Sequence, residues 1–264
     1  MIRLWAVAEI LSATPLIRVL HQSFPGAKVD FLLEETFADL LAGCSCIENI
    51  IPWSSLGRRA SCREILRMGK KIKRHHYDVV VDLQGEKETA FLSFLSRARY
   101  RIGYRLSGLR GMFYNMKAKI LPIKKHLVLS YLDLIRNFVP SNHGPLDLKL
   151  LVAEGNGSPS GKLDWSGVEI EDGGKKKFFI YPGAERPSMV WPVERFAQLA
   201  YHLMHQGSTE VILAGADRGE DRAIVEKINQ LLDNRGRVFF YSTLSQLISL
   251  MQAVDFFVGS DSGP

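Results

Sequence analysis

Small and polar residues stand directly after apolar runs at several places in the C-terminal part of the chain. Gly183 and Ala184 follow the run FFIY, Ser242 and Thr243 follow VFFY, and SDSGP follows FFVG. A glycine lets the backbone come close to a ligand, and a turn that opens a helix presents N–H groups to an anion. For the turn at Gly183 alone, a purely structural role fits the residues equally well.

Two turns in this part of the chain, one of them after a further apolar run, are also typical of ordinary helix starts. Glu220 and Asp221 open the helical segment after VILAGA, where the helix dipole favours acidic residues. Ser242 or Thr243 can cap the helix that begins near Leu244. One such turn is weak support for a ligand site, but several at strand ends would converge on one crevice.

Alternating strand-like and helix-like segments must position these turns. Hydrophobic periodicity predicts strands at residues 1–7, 27–33, 47–51, 77–83, 100–104, 178–181, 210–214, 238–241 and 255–259. It predicts helices at residues 10–24, 36–42, 62–74, 86–97, 126–138, 193–206, 221–232 and 243–252. This alternation favours an α/β fold with parallel sheets covered on both faces.

The composition changes in the middle of the chain. Gly, Ser, Pro and charged residues dominate residues 154–177, which predicts a linker or an edge excursion. We therefore expect an N-terminal domain over residues 1–153 and a C-terminal domain over residues 178–264. Two successive α/β domains predict a ligand cleft where the carboxyl ends of their strands face each other.

Positive charge is concentrated in the N-terminal half. Residues 56–125 contain 18 Lys and Arg against 5 Asp and Glu, although the whole chain of 264 residues carries a formal charge of only +6. This asymmetry indicates contact with nucleic acid, phospholipid or a phosphorylated substrate; the alternative is a set of solvated helix faces. No nucleic-acid recognition motif accompanies the charge, so we expect no nucleic-acid partner.

Several classes of protein are disfavoured by the sequence. No apolar run is long enough to span a bilayer, and the N-terminus lacks the basic region and cleavage site of a signal peptide. The three cysteines fit a reducing compartment but lack a fourth ligand at zinc spacing, so we expect a cytoplasmic protein without a metal. The first strand is followed by AEIL rather than G-x-G-x-x-G, which argues against a nicotinamide-dependent oxidoreductase.

Taken together, the motifs resemble glycosyltransferase family 9, the bacterial heptosyltransferases of lipopolysaccharide core synthesis. In the C-terminal half, the matching motifs are PGA at 182–184, WP at 191–192, ERF at 194–196, LAG at 213–215, STL at 242–244 and GSDSGP at 259–264. In the N-terminal half, they are TPL at 14–16, FPGA at 24–27, DVVVDLQG at 78–85 and RIGY at 101–104. The resemblance therefore extends over essentially the whole chain.

This resemblance implies a GT-B architecture with two Rossmann-like domains. The C-terminal domain would bind a nucleotide-activated sugar, typically ADP-heptose. The N-terminal domain would bind an anionic, lipid-linked acceptor of the Kdo-lipid A type, with its basic stretch at the inner face of the bacterial inner membrane. Transfer would invert the anomeric centre and would use no cofactor, because backbone N–H groups stabilise the leaving diphosphate.

The resemblance also implies site residues. Glu9 stands where the family has the Asp proposed as general base; it keeps the carboxylate but adds a methylene, and the alternative is an exposed Glu at a helix start. Met189 stands where the family often has a Lys that contacts the diphosphate, and Arg186 is the candidate replacement. The implied donor-binding residues are Gly183, Ala184, Arg186, Ser188, Glu220, Ser242, Thr243, Leu244, Asp261, Ser262 and Gly263.

The sequence also departs from the family at its end. The family continues past GSDSGP into a helix that would lie against the diphosphate, so we expect a C-terminal domain that is incomplete, from a fragment or a truncated gene. The changes at Glu9 and Met189 and this ending favour a second hypothesis. In that alternative, the chain is a non-catalytic or decayed homologue that binds a nucleotide sugar or an anionic glycolipid without transfer.

Overall fold

The computed structural model describes residues 1–42, 44–54, 60–118, 126–136, 139, 174–184, 190–217 and 219–260. The chain divides into two compact units, Met1–Val152 and Ala153–Pro264. In both, parallel strands alternate with helices, which confirms the α/β prediction. Within the described ranges, no helix is both long enough and apolar enough to cross a membrane.

The part of unit 1 (Met1–Val152) that the structure describes has five short strands, all paired in parallel. The strands are β1 (Asp30–Glu34), β2 (Asn49–Trp53), β3 (Val79–Val81), β4 (Tyr100–Tyr104) and β5 (Met116–Ala118). The helices are α1 (Val7–Leu11), α2 (Thr14–Ser23), a 3-10 helix (Glu35–Leu40), α3 (Cys62–Arg74), α4 (Lys87–Leu95), α5 (Leu109–Met112) and α6 (Leu127–Ile135).

The N-terminal segment, residues 1–4, joins these strands into one sheet. Ile2 donates its N–H to the Val81 carbonyl at 2.9 Å, and Leu32 donates to the Met1 carbonyl at 2.8 Å. The strand order is therefore β2-β1-segment-β3-β4-β5. The predicted strand at residues 1–7 is too long, because the backbone turns at Ala6, with φ of 75°, and α1 begins at Val7.

Helix α3 shows how local sequence sets an element. Ser61 and Glu64 form a capping box at its start, and Lys and Arg occupy its last turn, where the helix dipole favours cations. Gly69 lets α4 approach closely, because a Cβ there would lie 2.5 Å from Leu95 Cδ1. These signals explain why α3 occupies the predicted residues.

Other predictions in unit 1 need correction. The helix predicted at residues 10–24 is divided between α1 and α2, and the one predicted at residues 36–42 is a 3-10 helix over Glu35–Leu40. Helix α5 and strand β5 were not predicted. They have four and three residues, too few to show a hydrophobic period.

Unit 2 (Ala153–Pro264) has a four-stranded parallel sheet in the order β8-β7-β6-β9. Its strands are β6 (Lys176–Tyr181), β7 (Thr209–Ala216), β8 (Arg237–Tyr241) and β9 (Phe256–Gly259). Its helices are α7 (Val193–Met204), α8 (Gly219–Leu231) and α9 (Leu244–Gln252). Side chains on the two faces of the sheet form two separate cores, one against α7 and α8 and the other against α9.

Candidate active site

In each unit the chain reverses its direction of progress through the sheet once. In unit 1 the N-terminal segment is followed by β1 and β2 on one side and then by β3 on the other. In unit 2, β6 is followed by β7 and β8 on one side and then by β9 on the other. Ligands of open α/β sheets bind at the carboxyl ends of the strands beside such a switch point.

Glu9 lies in the loop and first turn that leave the switch point of unit 1. Its carboxylate forms an ion pair with the guanidinium of Arg3, which belongs to the N-terminal segment. The Arg3 side chain is 11% exposed and that of Glu9 is 37% exposed. The buried cation therefore fixes the carboxylate while leaving it accessible to a substrate.

Three buried polar atoms near this ion pair have no hydrogen-bond partner within the described part of unit 1. They are Arg3 Nε, Gln84 Nε2 and Tyr131 Oη. Gln84 is fixed by its other end, because its Oε1 accepts from Leu4 N at 2.8 Å. Buried polar groups are nearly always paired, so unpaired ones on Arg3, on Tyr131 and on the side chain bonded to Leu4 mark a place where a ligand or water supplies partners.

Burial raises the pKa of Tyr131 to about 12, with the Arg3 charge opposing this change and the Glu9 charge adding to it. The phenol is therefore neutral at pH 7 and able to donate a hydrogen bond. Since both charges act on Tyr131, the hydroxyl shares the surroundings of the ion pair. It comes from α6, more than a hundred residues away in sequence, and nothing in the sequence assigned it to the site.

Asp82 lies beneath the turn that follows β3 and stabilises it. It is fully buried at the end of β3 and accepts from Tyr114 Oη at 2.6 Å, from Gln84 N at 2.9 Å and from Gly85 N at 3.1 Å. Burial raises the pKa of Asp82 although these hydrogen bonds oppose the change. The carboxyl group thus fixes the turn that carries Gln84. The motif DVVVDLQG was its sequence signal, but no role followed from it.

In unit 2, the turn after β6 lies at the switch point. A Cβ on Gly183 would come within 2.6 Å of Asp221 Oδ1 and 3.0 Å of Tyr181 Oη, so only glycine fits without a shift of its neighbours. Tyr181 Oη donates to Asp221 at 3.3 Å and accepts from Tyr241 Oη at 3.2 Å. Burial, followed by the Tyr241 hydrogen bond, raises the pKa of Tyr181 well above its ordinary value.

The two acids at the start of α8 differ in position. Asp221 faces the turn at Gly183, with Ala184 next in the chain, whereas Glu220 is on the exposed side. Sequence reasoning selected Glu220 for the site. The structure also brings its neighbour Asp221 to the strand ends, and the role of Glu220 stays a prediction.

Ser260 links the turn after β6 to the end of β9. Its hydroxyl donates to the Pro182 carbonyl at 3.1 Å and accepts from Trp191 N at 3.4 Å. The two loops beside the switch point are therefore held together. Ser260 was quoted in the C-terminal motif but was not chosen as a site residue.

The turn after β8 carries Ser242, Thr243 and Leu244. Thr243 caps α9 by accepting from Gln246 N at 3.3 Å, and the Gln246 side chain accepts from Ser242 N at 2.8 Å. Ser242 and Thr243 are exposed, while Leu244 packs against the core of unit 2. The predicted residues Arg186, Ser188, Asp261, Ser262 and Gly263 lie outside the described residues, as does Met189.

Comparison with known families decides the class of this site. The model of glycosyltransferase family 9 (heptosyltransferase) matches residues 65–264. The chain belongs to glycosyltransferase family 9. It is therefore an enzyme of the glycosyltransferase class, and the resemblance seen in its motifs is confirmed.

Individual members of glycosyltransferase family 9 are similar to this chain over most of their length. Lipopolysaccharide heptosyltransferase 3 of Escherichia coli is 24% identical over 274 residues, covering 97% of this chain and 75% of that protein. The solved structure of E. coli ADP-heptose lipopolysaccharide heptosyltransferase II has a TM-score of 0.81 at 22% identity, covering 99% of this chain and 78% of its own.

A second E. coli heptosyltransferase, solved with ADP-2-deoxy-2-fluoro heptose, has a TM-score of 0.73 at 18% identity, covering 99% of this chain and 82% of its own. These likenesses show a fold of the GT-B type, as predicted. Among the residues that the structure describes, no three or more His, Cys, Asp or Glu side chains are grouped to hold a metal ion.

Proposed function

We propose that this chain transfers heptose from ADP-heptose to a lipid-linked acceptor of the lipopolysaccharide core, with inversion at the anomeric carbon. Family membership and the solved relatives support the donor, since one relative was solved with a fluorinated ADP-heptose. The observation that carries the proposal is the Glu9 carboxylate, held by Arg3 at the switch point of unit 1 and still exposed.

In the proposed reaction, Glu9 accepts the proton of the acceptor hydroxyl. The hydroxyl oxygen bonds to the anomeric carbon of heptose, the bond from that carbon to the diphosphate oxygen breaks, and ADP leaves with the electron pair. A base must lie within hydrogen-bond reach of the hydroxyl. Glu9 is one methylene longer than the family's Asp, and its ion pair with Arg3 limits the positions that the longer side chain can take.

The unpaired donors beside Glu9 are suited to sugar hydroxyls of the acceptor. Gln84 Nε2 and Tyr131 Oη have no partner within the described residues, so a substrate oxygen that paired with them would replace no protein partner. Leaving such groups unpaired costs about 1–3 kcal/mol each, and pairing them with substrate recovers that cost on binding. They would therefore contribute to acceptor affinity and orientation.

We assign the diphosphate of the donor to the loops at the switch point of unit 2. Gly183 and Ala184 would bring backbone N–H groups close to it, and the start of α9 behind Ser242, Thr243 and Leu244 would add its dipole. Glu220 belongs to the proposed donor-binding set as well. The remaining members lie outside the described residues and are Arg186, Ser188, Asp261, Ser262 and Gly263. Arg186 would supply the cation that Met189 does not.

Because the proposed acceptor is anchored in a membrane, we further propose that the protein works in the cytoplasm as a peripheral protein at the inner face of the inner membrane. The positive charge of residues 56–125 supports this location, since anionic lipids attract basic surfaces.

A transfer assay with defined substrates tests the proposed donor and acceptor. The purified protein is given Kdo-lipid A with ADP-heptose, UDP-glucose or GDP-mannose, and the glycolipid is followed by mass spectrometry. We expect one heptose to be added from ADP-heptose only, with release of ADP and inverted configuration by NMR. Transfer from another nucleotide sugar, or no transfer with no ADP-heptose binding by calorimetry, would contradict the proposal.

A further inference from the structure

Helix α5 presents two large apolar side chains to solvent. Leu109 is 74% exposed and Met112 is 71% exposed, the highest values among the large hydrophobic side chains that the structure describes. Residues three apart lie on the same side of a helical turn. The two side chains therefore form one projecting apolar surface.

This surface continues onto α4 through aromatic contacts. Phe113, which ends α5, packs against Phe91 and Phe94 with ring centroids 5.5 Å and 5.4 Å apart. Phe94 is itself 48% exposed. We call the set Phe94, Leu109, Met112 and Phe113 the apolar tip. Exposed apolar surface of this kind, when contiguous, marks an interaction site.

The backbone around α5 holds the apolar tip in a defined conformation. Gly108 precedes α5 with φ of 72°, and a Cβ on Gly111 would collide with the carbonyl oxygen of Leu106. The Phe113 carbonyl accepts from Arg101 Nε at 2.9 Å, which fixes the far end of the turn. The tip is thus a defined part of unit 1, held in place by glycines and a partly buried arginine contact.

The charge around the tip selects its partner. Residues 97–118 contain six Lys and Arg and no Asp or Glu, and Arg99, Arg105 and Lys117 are exposed. Exposed apolar side chains with flanking cations fit an anionic phospholipid surface, where acyl chains accept the former and head groups the latter. A second copy of this chain would bring like charges together, which disfavours self-association through the tip.

The tip runs along unit 1 between the two edges of the sheet. The loop before α5 leaves β4 at its carboxyl end, the edge of the sheet at which Glu9 lies. The most basic run of the sequence, Lys70–Arg74, ends α3 and leads into β3, so it lies at the opposite edge. Phe113 lies against the Arg101 guanidinium, which also bonds to the Ala98 carbonyl before β4, so the tip extends from the edge of Glu9 toward the edge at which α3 ends.

We propose that the apolar tip inserts into the interface of an anionic phospholipid bilayer, with Arg105 and Arg110 at the head groups. This inference rests on the proposed function in so far as a lipid-linked acceptor gives the contact its purpose. It replaces the general basic stretch of residues 56–125 by a specific surface, in which apolar insertion adds to charge attraction. Binding should therefore persist in part when salt screens the charges.

Vesicle sedimentation tests the tip directly. The probes are vesicles of phosphatidylglycerol with phosphatidylethanolamine, compared with phosphatidylcholine alone, at low and high salt. We expect the double variant Leu109→Ser/Met112→Ser to bind the anionic vesicles at least about tenfold more weakly at both salt concentrations. The double variant Arg105→Gln/Arg110→Gln should lose about 20-fold at low salt and little at high salt.

Leu66→Ser is the matched control, because Leu66 is 47% exposed on the basic helix α3. It should bind within about twofold of wild type. Equal losses for Leu66→Ser and the tip variant, or wild-type binding by the tip variant, would overturn the proposal. So would a dimer in light scattering that the tip variant converts to monomer, since that result assigns the tip to a subunit interface.

A second readout separates this inference from the proposed function. On an O-deacylated acceptor free in solution, the tip variant should retain wild-type turnover, because the tip does not touch the reacting groups. If the protein transfers no heptose but the tip variant still loses vesicle binding, the proposed function fails and the tip stands. If soluble turnover falls together with vesicle binding, the tip has a direct part in catalysis and the membrane assignment is overturned.

Discussion

The two units of this glycosyltransferase share a strand order but not the chemistry of their switch points. In each sheet the first strand lies beside the second on one side and the fourth on the other. In unit 1 ionisable groups lie at the switch point, namely the buried Asp82 and the Arg3–Glu9 ion pair. In unit 2 it is formed by Gly183 and by the hydroxyl of Tyr181. Topology sets where a ligand binds, and side chains decide what it is.

Under the proposed function, this difference would correspond to the two halves of the transfer reaction. A proton acceptor needs a carboxylate held in a fixed position, which a buried arginine provides in unit 1. A diphosphate needs N–H groups at close range, which glycine turns and helix starts provide in unit 2. The two units should also differ in how much their polar contacts contribute to stability, because polar groups are buried more deeply in unit 1.

The largest contrast is expected for two glycine substitutions. Gly103→Ala places a Cβ 2.5 Å from the buried ring of Tyr114, which cannot move without losing its bond to Asp82. We expect a loss of about 3 kcal/mol in the free energy of unfolding, measured by urea denaturation. Gly183→Ala meets the mobile end of Asp221, so it should cost less than about 1 kcal/mol. Equal losses would contradict the contrast.

A smaller contrast is expected for two tyrosine hydroxyls. Tyr114→Phe removes a donor from a fully buried carboxyl group and should cost about 2 kcal/mol. Tyr181→Phe removes a hydroxyl with two longer bonds, to the partly exposed Asp221 at 3.3 Å and from Tyr241 at 3.2 Å, and should cost about 1 kcal/mol or less. Chemical denaturation of both variants measures the difference. A larger loss for Tyr181→Phe would reverse the proposed order of burial.

The raised pKa of Asp82 predicts how stability depends on pH. The folded state binds a proton more tightly than the unfolded state, so this group favours folding below about pH 4. That contribution is lost as the pH rises through the pKa of the folded state. The unfolding free energy of wild type minus that of Asp82→Asn should therefore fall by up to about 1.4 kcal/mol per pH unit in this window. A difference that grows with pH would show a lowered pKa instead.

The smallest effect separates capping from ligand binding in unit 2. Thr243→Ala removes the cap of α9 and should cost about 1 kcal/mol of stability, whereas Ser242→Ala should change it by less than about 0.5 kcal/mol. If both residues also bind the donor, both variants should raise the Kd for ADP-heptose in calorimetry. Unchanged affinity for both would leave Thr243 with its structural role alone.

The sequence predicted elements best where local signals mark both ends. Helix α3 has a capping box and a basic last turn, and β4 is a short run with Tyr and Ile, which favour strands. Both elements occupy the predicted residues. Helix α5 depends on the close approach of Gly111 to Leu106, a tertiary feature without a sequence period. The apolar tip was therefore not predictable.

The candidate site was predictable in its loops but not in its supporting contacts. Glu9 and Gly183 were chosen from motifs, and their roles remain predictions. The ion pair between Arg3 and Glu9 was not foreseen. Tyr131 comes from a distant helix, and the link between Asp82 and Tyr114 spans 32 residues, so no local spacing reveals either contact. Long-range partners of this kind are set by the fold alone.

The role of Glu9 is tested most directly by turnover of Glu9→Gln and Glu9→Asp with saturating ADP-heptose and acceptor. Glutamine keeps the size of the side chain and one acceptor oxygen for Arg3, but it loses the charge of the ion pair and cannot accept the proton. We expect Glu9→Gln to lower kcat by about 10³-fold with little change in donor affinity, and Glu9→Asp to retain intermediate activity. If Glu9→Gln turns over within a few-fold of wild type, Glu9 is not the base, and the assignment of unit 1 to proton transfer is wrong.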